Sequence, residues 1–295
     1  MSPSVPGGER REDTFRQPRL SFARALCALD GSPESLGAVR HAASLAGPDG
    51  HLTLLVVTSF RNEPEHRSPA ISPGRATEIV ERARAAASAA GVAASVEVDP
   101  AGPPARVVID RCADQDLLVL GRPATAWFGA MFMGGVAATA EDYLTRPLLI
   151  SRGADDAPDL RERIVVASDG LEGSDALVAV AGRLAAERDG SVTLLHVLGP
   201  ESRMHPHRIE HQAERLHELI GERARLKVQP GHARHAVIDT ARSEDASLVL
   251  VSSRSLSGLH AVGSVSRRVV HQSHCPVLLV PPEQLQALEV PQPGA

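Results

Sequence analysis

The sequence predicts an α/β protein made of two similar halves, each an open, doubly wound sheet of five parallel strands. The first observation is an internal duplication, because four sequence blocks occur twice in the same order. The second is an alternation, in both halves, of short Leu- and Val-rich runs with amphipathic stretches. Parallel strands joined in this way need right-handed crossovers, so helices are expected on both faces of each sheet.

The repeated blocks begin with an apolar run that ends in an Asp-Gly turn, RALCALDGSPES at 24–35 and RIVVASDGLEGS at 163–174. The other three pairs are HLTLLVV (51–57) with SVTLLHV (191–197), VVIDRCADQDLLVLG (107–121) with AVIDTARSEDASLVLVS (236–252), and TRPLLIS (145–151) with HCPVLLV (274–280). The copies lie roughly 129–140 residues apart, a spacing that indicates tandem domains rather than short solenoid repeats.

Four boundaries follow from the duplication. The two domains are predicted at 20–152 and 161–283, joined by the polar segment RGADDAPDLRER. The stretches 1–19 and 284–295 are rich in Pro, Gly and charged residues and are predicted to be flexible tails.

In the first half, the runs ALCAL, LTLLVV and LLVL are typical of strands buried on both faces. Ser32 followed by Pro33 predicts the N-cap and first residue of a helix. A second helix is predicted through ATEIVERARAAASAAG, with Gly91 as its stop signal.

The second half repeats this pattern. Its predicted strands are IVVAS, VTLLHV, LKV, LVLV and VLLV. Its helices are predicted to begin near 173, to run through RIEHQAERLHELIGERA, and to begin near 232 and near 264.

The composition excludes several classes of protein. The formal net charge of −5 argues against nucleic-acid binding, and an aromatic content of 2% is too low for a base-stacking surface. No apolar run is long enough for a membrane span, and the first 20 residues have no apolar core of a secretory signal. Cys27, Cys112 and Cys275 are odd in number and widely spaced, so we expect free thiols and a cytoplasmic protein.

Small and acidic residues follow the predicted strands at the positions where doubly wound sheets bind ligands. Asp-Gly follows the first strand of each half, at Asp30 and Asp169. Runs of small residues follow the fourth strands, at 121–124 and 252–255, and a second small pair precedes the next helix. Small residues at a helix N-terminus allow backbone N–H groups to approach a phosphate.

These motifs resemble the universal stress protein family, over about 250 residues arranged as two domains in one chain. The resemblance rests on the Asp-Gly-Ser turn, the LLHV-like second strand, the loop after the fourth strand and the CPVLLV ending. It implies strand order 3-2-1-4-5 and dimers paired through the last strand. In the nucleotide-binding branch it implies ATP over a G-x2-G-x9-G-S/T loop, with adenine near the first-strand Asp and second-strand Val.

Transferred residue by residue, the resemblance gives a cofactor-binding set for each half. In the first half Ala124 replaces a glycine and Gly135 replaces a hydroxyl residue, and the full set is Asp30, Val57, Gly121, Ala124, Gly134 and Gly135. In the second half two serines replace glycines and the loop is two residues shorter; the set is Asp169, Val197, Ser252, Arg254, Ser255, Gly263 and Ser264. No catalytic residue is predicted.

Three functions are compatible with these residues. The first is a stress-response sensor or regulatory module that binds ATP, with Mg²⁺ only as the nucleotide's companion and with weak hydrolysis at most. The second is a nucleotide-free protein that acts through dimerisation or partner binding. The third, an ATP-using enzyme or a phospho-acceptor receiver, is weakest, because Asp30 has no adjacent acid and neither fifth strand is followed by Lys.

A histidine cluster suggests a metal site as a minor alternative. His205, His207, His211 and His217 are close in sequence, and His207 and His211 have the i, i+4 spacing that presents two imidazoles to one ion. The sequence HRIEH lacks the Glu of a zincin motif, so a polar helix face is the preferred interpretation and no metal site is predicted.

The last strands, Leu148–Ser151 and Val277–Val280, are predicted to lie at sheet edges. Open edges attract pairing, so these strands are expected to pair with one another, which mimics the family dimer within one chain, or with a second chain. We also expect two separate sheets, each packed by its own contacts.

Overall fold

The computed structural model describes residues 22–58, 71–100, 104–121, 146–152, 159–171, 173–199, 206–252, 264–281 and 284. The first half contains β1 (Arg24–Leu29), α1 (Pro33–Ala46), β2 (His51–Val57), α2 (Pro73–Ala89), β3 (Ala93–Asp99), α3 (Pro104–Cys112), β4 (Leu117–Gly121) and β5 (Leu148–Ser151). The second contains β6 (Arg163–Ser168), α4 (Gly173–Ala186), β7 (Ser191–Leu198), α5 (Pro206–Ile220), β8 (Ala224–Pro230), α6 (Ala233–Ser243), β9 (Leu248–Ser252), α7 (Ser264–Gln272) and β10 (Val277–Val280). No helix in these ranges is both long and apolar enough to cross a membrane.

Two predicted helix boundaries are confirmed. The Ser32 hydroxyl accepts from the Ser35 N–H at 3.1 Å, and Pro33 begins α1. Helix α2 ends at Ala89, and Gly91 two residues later has φ +72°, the left-handed conformation that glycine adopts without strain.

Ten strands form one sheet in the order β3-β2-β1-β4-β5-β10-β9-β6-β7-β8. All pairs within a half are parallel, so each half has the predicted doubly wound fold and the strand order 3-2-1-4-5. The expectation of two separate sheets is wrong, because β5 and β10 pair antiparallel and make the sheet continuous. The prediction that the last strands pair with one another is confirmed.

The apolar core forms two layers that extend across both halves. The first layer lies under α1, α2, α4 and α5, and the second under α3, α6 and α7. At the junction Leu149 pairs with Leu278 in the first layer, and Leu148 pairs with Leu279 in the second. The expectation that each half packs by its own contacts is therefore wrong at the junction, where apolar side chains of both halves close each layer.

An ionic group also connects the halves. Arg161, which precedes β6, contacts Asp159 at 3.1 Å, Glu187 at 2.8 Å and the Ser44 hydroxyl of α1 at 3.2 Å. Ser44 in turn donates to Asp159 at 3.2 Å. Burial alone would raise the pKa of Asp159, but the hydrogen bonds and charge of Arg161 hold it below its usual value. Arg161 is 7% exposed, so this group is a largely desolvated link between α1 and the second half.

A buried histidine lies beside the same junction. His41 of α1 is 8% exposed, and its Nδ1 lies 2.7 Å from the Ser151 hydroxyl at the end of β5. Burial, followed by the nearby charge of Arg40, lowers the pKa of His41 from 6.5 to about 4. The ring therefore contributes to folding as an uncharged group.

We predict that His41 makes the free energy of unfolding decrease as the pH falls from about 6.5 to about 4. The folded protein binds this proton less readily than the unfolded chain, so the contribution is complete above the unfolded pKa and is lost as the pH falls to the folded pKa. The full contribution is about 3 kcal/mol. Urea unfolding measures the free energy of unfolding at about pH 7 and about pH 4.5. Its decrease between these pH values should be smaller in the double variant His41→Val/Ser151→Val than in wild type. The fully exposed His207, changed to Ala, is the control; a double variant as acid-sensitive as wild type would contradict the prediction.

We predict that the three thiols react with a thiol reagent only after unfolding. Cys27, Cys112 and Cys275 are buried and unpaired, as the sequence predicted. Burial raises the pKa of Cys27 to about 12 and of Cys112 to about 11, which suppresses the reactive thiolate. Titration should find no fast thiol in the folded protein and three in denaturant. Fewer than three after unfolding would indicate a disulfide or another modification.

Candidate functional site

The turn after β1 orients the predicted ligand residue Asp30. Its Oδ1 accepts from the Ser32 N–H at 2.9 Å and from the Ser32 hydroxyl at 2.6 Å. Gly31 between them has φ +81°, and a Cβ there would lie 2.7 Å from Cδ1 of Ile79. The carboxylate is therefore held by its own turn directly before the N-terminus of α1, and the positive φ at position 31 favours glycine.

Gly121, at the end of β4, lies against the same helix terminus. A Cβ on Gly121 would lie 2.4 Å from the Glu34 carbonyl carbon and from the Ser35 nitrogen. The strand end is thus in backbone contact with the first turn of α1. Asp30 and Gly121, which are far apart in sequence, are brought together where the strand order reverses, the position at which such sheets bind ligands.

Val57 closes β2, the neighbouring strand. It is 5% exposed, and it pairs with Asp99 of β3. Asp99 contacts Arg111 of α3 at 3.3 Å, and Glu97 contacts the same guanidinium at 3.0 Å. Because β1, β2 and β4 are parallel, their carboxyl ends point to the same side of the sheet, where Asp30, Val57 and Gly121 lie.

The strands of the second half run antiparallel to those of the first, so their carboxyl ends point to the opposite side of the sheet. The predicted ligand residues of the second half lie there. Asp169 Oδ1 accepts from the Leu171 N–H at 2.9 Å and the Ser174 hydroxyl at 2.8 Å. Ser252, at the end of β9, accepts through its carbonyl from the Ser266 hydroxyl of α7 at 3.1 Å. Val197 is half-buried in β7.

Several predicted residues have no described environment. Ser264 begins α7, but its side chain is outside the described set. Also outside the described residues are Ala124, Gly134, Gly135, Arg254, Ser255, Gly263 and His205. His207, His211 and His217 are exposed on α5, and the described part of the chain contains no group of three side chains that could hold a metal ion.

A polar cluster beneath the second-half turn was missed by the sequence reasoning. We call it the Ser168 cluster: Ser168, Asp175, His196, Arg208 and Gln212. Ser168 donates to Gln212 at 2.6 Å, Gln212 donates to Asp175 at 2.5 Å, and Arg208 donates to the other Asp175 oxygen at 2.6 Å. His196 Nδ1 lies 3.0 Å from the Ser168 carbonyl oxygen. Ser168, His196 and Gln212 are each at most 6% exposed.

Comparison of the two halves contains the signal that could have revealed this cluster. Ser168 ends β6 as Leu29 ends β1. His196 is the sixth residue of β7 as Val56 is of β2. The first-half counterparts are buried apolar residues of the first layer. Two polar strand residues thus replace two apolar ones beneath the turn, whereas the helix residue facing the turn glycine stays apolar, with Ile209 against Gly170 as Ile79 is against Gly31.

We predict that Gly121→Ala lowers the free energy of unfolding by about 1–3 kcal/mol, because the added Cβ overlaps the backbone of α1. Chemical denaturation measures the loss. Ser252→Ala, at the matching position of the second half, is the control and should change stability by less than about 0.5 kcal/mol. A Gly121→Ala protein as stable as wild type would show that α1 moves aside freely.

A model of the universal stress protein family matches residues 21–152 and again residues 161–281. A universal stress protein of Mycolicibacterium smegmatis is 26% identical over 202 residues, which cover 60% of this chain and 66%, just under two thirds, of that protein. A universal stress protein of Bacillus subtilis is 30% identical over 144 residues, covering 40% of this chain and 97% of that protein.

Solved structures agree with the fold. A universal stress protein from Archaeoglobus fulgidus has a TM-score of 0.66 at 20% identity and covers 89% of this chain and 98% of its own. A functionally unknown protein from Pseudomonas aeruginosa has a TM-score of 0.61 at 14% identity, over 91% of this chain and 96% of its own. At these identities the similarity shows the fold alone. With two matches to one family model covering most of its length, this chain belongs to the universal stress protein family.

Proposed function

We propose that this chain is a nucleotide-binding sensor or regulatory module that takes up ATP at the strand ends, with weak hydrolysis at most. The observation that carries the proposal is the meeting of Asp30 and Gly121 at the N-terminus of α1. Both residues lie where the strand order reverses. The Asp30 carboxylate can accept hydrogen bonds from a nucleoside, and a backbone without a side chain, as at Gly121, lets phosphates approach.

The Asp30 carboxylate has capacity for a ligand. An ionised carboxyl group has about four acceptor positions, and the turn uses two of them, both on Oδ1. We propose that the remaining capacity accepts from the adenine amino group or the ribose. Backbone N–H groups near Gly134 or Gly263 would meet the phosphates, with Mg²⁺ bound only through the nucleotide.

Gly121, at the end of β4, does not by itself indicate a phosphate site. The space beside Gly121 is filled by the backbone of α1, so this glycine has a packing role whether or not a phosphate approaches it. Its loss would therefore impair folding together with binding. For this reason the aspartates, rather than Gly121, are the residues that test the proposal.

The two proposed sites lie at the carboxyl ends of oppositely directed sets of strands, so the chain has room for two nucleotides. If one half alone binds, we propose the first, because it keeps Gly121 and the nine-residue spacing to Gly134. The second half has Ser252 and Ser255 in place of glycines and a loop shorter by two residues. The site set Arg254, Ser255, Gly263 and Ser264 remains part of the proposal for that half.

A specific observation favours a second candidate, a nucleotide-free interaction module that forms a homodimer or binds a protein partner. The edge strands β3 and β8 carry exposed apolar side chains: Val98 is 49% exposed, Leu226 44% and Val228 47%. Because β5 and β10 pair with one another, the sheet's open edges are β3 and β8, and open edges invite further pairing. We place either activity in the cytoplasm, which the three unpaired buried thiols support.

We predict that ATP binds the wild-type protein with measurable heat and that Asp30→Asn weakens binding at least about tenfold, because a charge-assisted hydrogen bond becomes a neutral one. Asn keeps the oxygen that caps the turn, so folding should be preserved. Isothermal titration calorimetry compares wild type, Asp30→Asn and Asp169→Asn, with the exposed Asp239→Asn of α6 as the charge-matched control.

Loss of binding in Asp169→Asn alone would assign the nucleotide to the second half. No heat in wild type would reject nucleotide binding. Sedimentation that then showed dimers, abolished by Val228→Glu, would establish the interaction module instead.

A further inference from the structure

The geometry points to a ligand-reading role for His196: in the second half, its Nε2 accepts a hydrogen bond from the nucleoside part of the bound nucleotide. This inference rests on the proposed nucleotide binding and extends it. It gives the second half a specificity element that the first half does not have.

The hydrogen bonds of the Ser168 cluster determine which nitrogen of His196 carries the proton. Nδ1 lies 3.0 Å from the Ser168 carbonyl oxygen, which can only accept, so Nδ1 must donate. In the uncharged ring Nε2 is then an acceptor. The Ser168 side chain is already committed, since it donates to Gln212 and accepts from the Gly170 N–H at 3.0 Å.

Nε2 has no hydrogen-bond partner among the described residues, although His196 is 2% exposed. A buried acceptor without a donor carries a desolvation cost, so such a group calls for an explanation. The ring lies beneath the Asp169-Gly170 turn, because a Cβ on Gly170 would be 3.6 Å from Cε1, the atom bonded to both ring nitrogens. The orphan acceptor is therefore next to the turn that carries the second-half ligand aspartate.

The class of group that Nε2 can take follows from its chemistry. Phosphate oxygens at neutral pH accept hydrogen bonds and cannot satisfy it. A nucleoside supplies two kinds of neutral donor, the 6-amino group of adenine and the ribose hydroxyls. Either one would pair with Nε2 in a dry environment, where an unpaired acceptor is most costly.

The first half offers no equivalent reader. Val56 occupies the position of His196, and it is fully buried in the first core layer. We therefore expect the first half to tolerate changes in the nucleoside that the second half rejects. Each half has an aspartate after its first strand, Asp30 or Asp169, so this aspartate cannot produce the difference.

The test uses the full-length chain in an Asp30→Asn background, in which binding by the first half is weakened. Calorimetry with ATP compares this protein with and without His196→Val, a change that installs the first-half residue. We expect affinity to fall about tenfold, the effect of one hydrogen bond to a buried acceptor. Val56→Ala in the same background is the matched control and should leave the affinity unchanged.

Two further measurements use nucleotide analogues and the ¹⁵N resonances of the histidine rings. Inosine triphosphate has a carbonyl in place of the 6-amino group, and 2′-deoxyATP lacks one hydroxyl. A tenfold loss with one analogue that is absent from the His196→Val protein identifies which donor Nε2 reads. In protein labelled with ¹⁵N-histidine, the Nε2 resonance missing from His196→Val should shift when ATP is added.

The outcomes separate the two proposals. ATP binding by wild type that disappears in Asp30→Asn, or that survives His196→Val with an unmoved Nε2 resonance and equal affinity for the analogues, overturns the role of His196 and leaves nucleotide binding standing. Absence of ATP binding in wild type overturns both.

Discussion

The antiparallel pairing of β5 with β10 is the contact on which the architecture depends. Each strand has only four residues, and all eight are buried. Leu148, Leu149, Leu278 and Leu279 close both core layers at once, so the pairing joins two half-cores as well as two sheets. Burying a leucine side chain contributes about 1.5–3 kcal/mol. Neither half could therefore be removed without exposing apolar surface of the other along this seam.

The direction of this pairing decides where chemistry can occur. Because the halves run antiparallel, the carboxyl ends of their strands face opposite ways, so Asp30 and Asp169 lie on opposite sides of the sheet and cannot share one ligand. The ionic group around Arg161 connects α1 to the second half, and the His41–Ser151 contact holds α1 against β5 beside the joint. Such a plan allows two copies of one domain to diverge independently while sharing one core.

The two halves differ in the side chains that pack beneath the Asp-Gly turn, a layer that we call the floor of the turn. In the first half Leu29, Val56 and Ile79 make an apolar floor, whereas the Ser168 cluster makes a polar one. A buried polar network is tolerated only when its members are satisfied. Ser168, Gln212 and Asp175 meet that condition through one another, and His196 meets it at Nδ1 but not at Nε2. The second half therefore keeps one unsatisfied acceptor beneath its turn, His196 Nε2, and the first half has none at the matching Val56.

Local patterns were sufficient for the elements and for half of the first site. Alternating periodicity, the duplicated blocks, Ser32 as N-cap and Asp30 in its turn depend on neighbours in sequence, and the structure confirms these elements. The joint sheet, the contact of Gly121 with α1 and the Ser168 cluster depend on residues far apart in the chain. Sequence patterning says which strands are buried, but which edges pair is decided by the packing of the whole sheet. Likewise, whether a glycine serves a ligand or a helix depends on which backbone lies 2.4 Å away, and only the tertiary structure decides that.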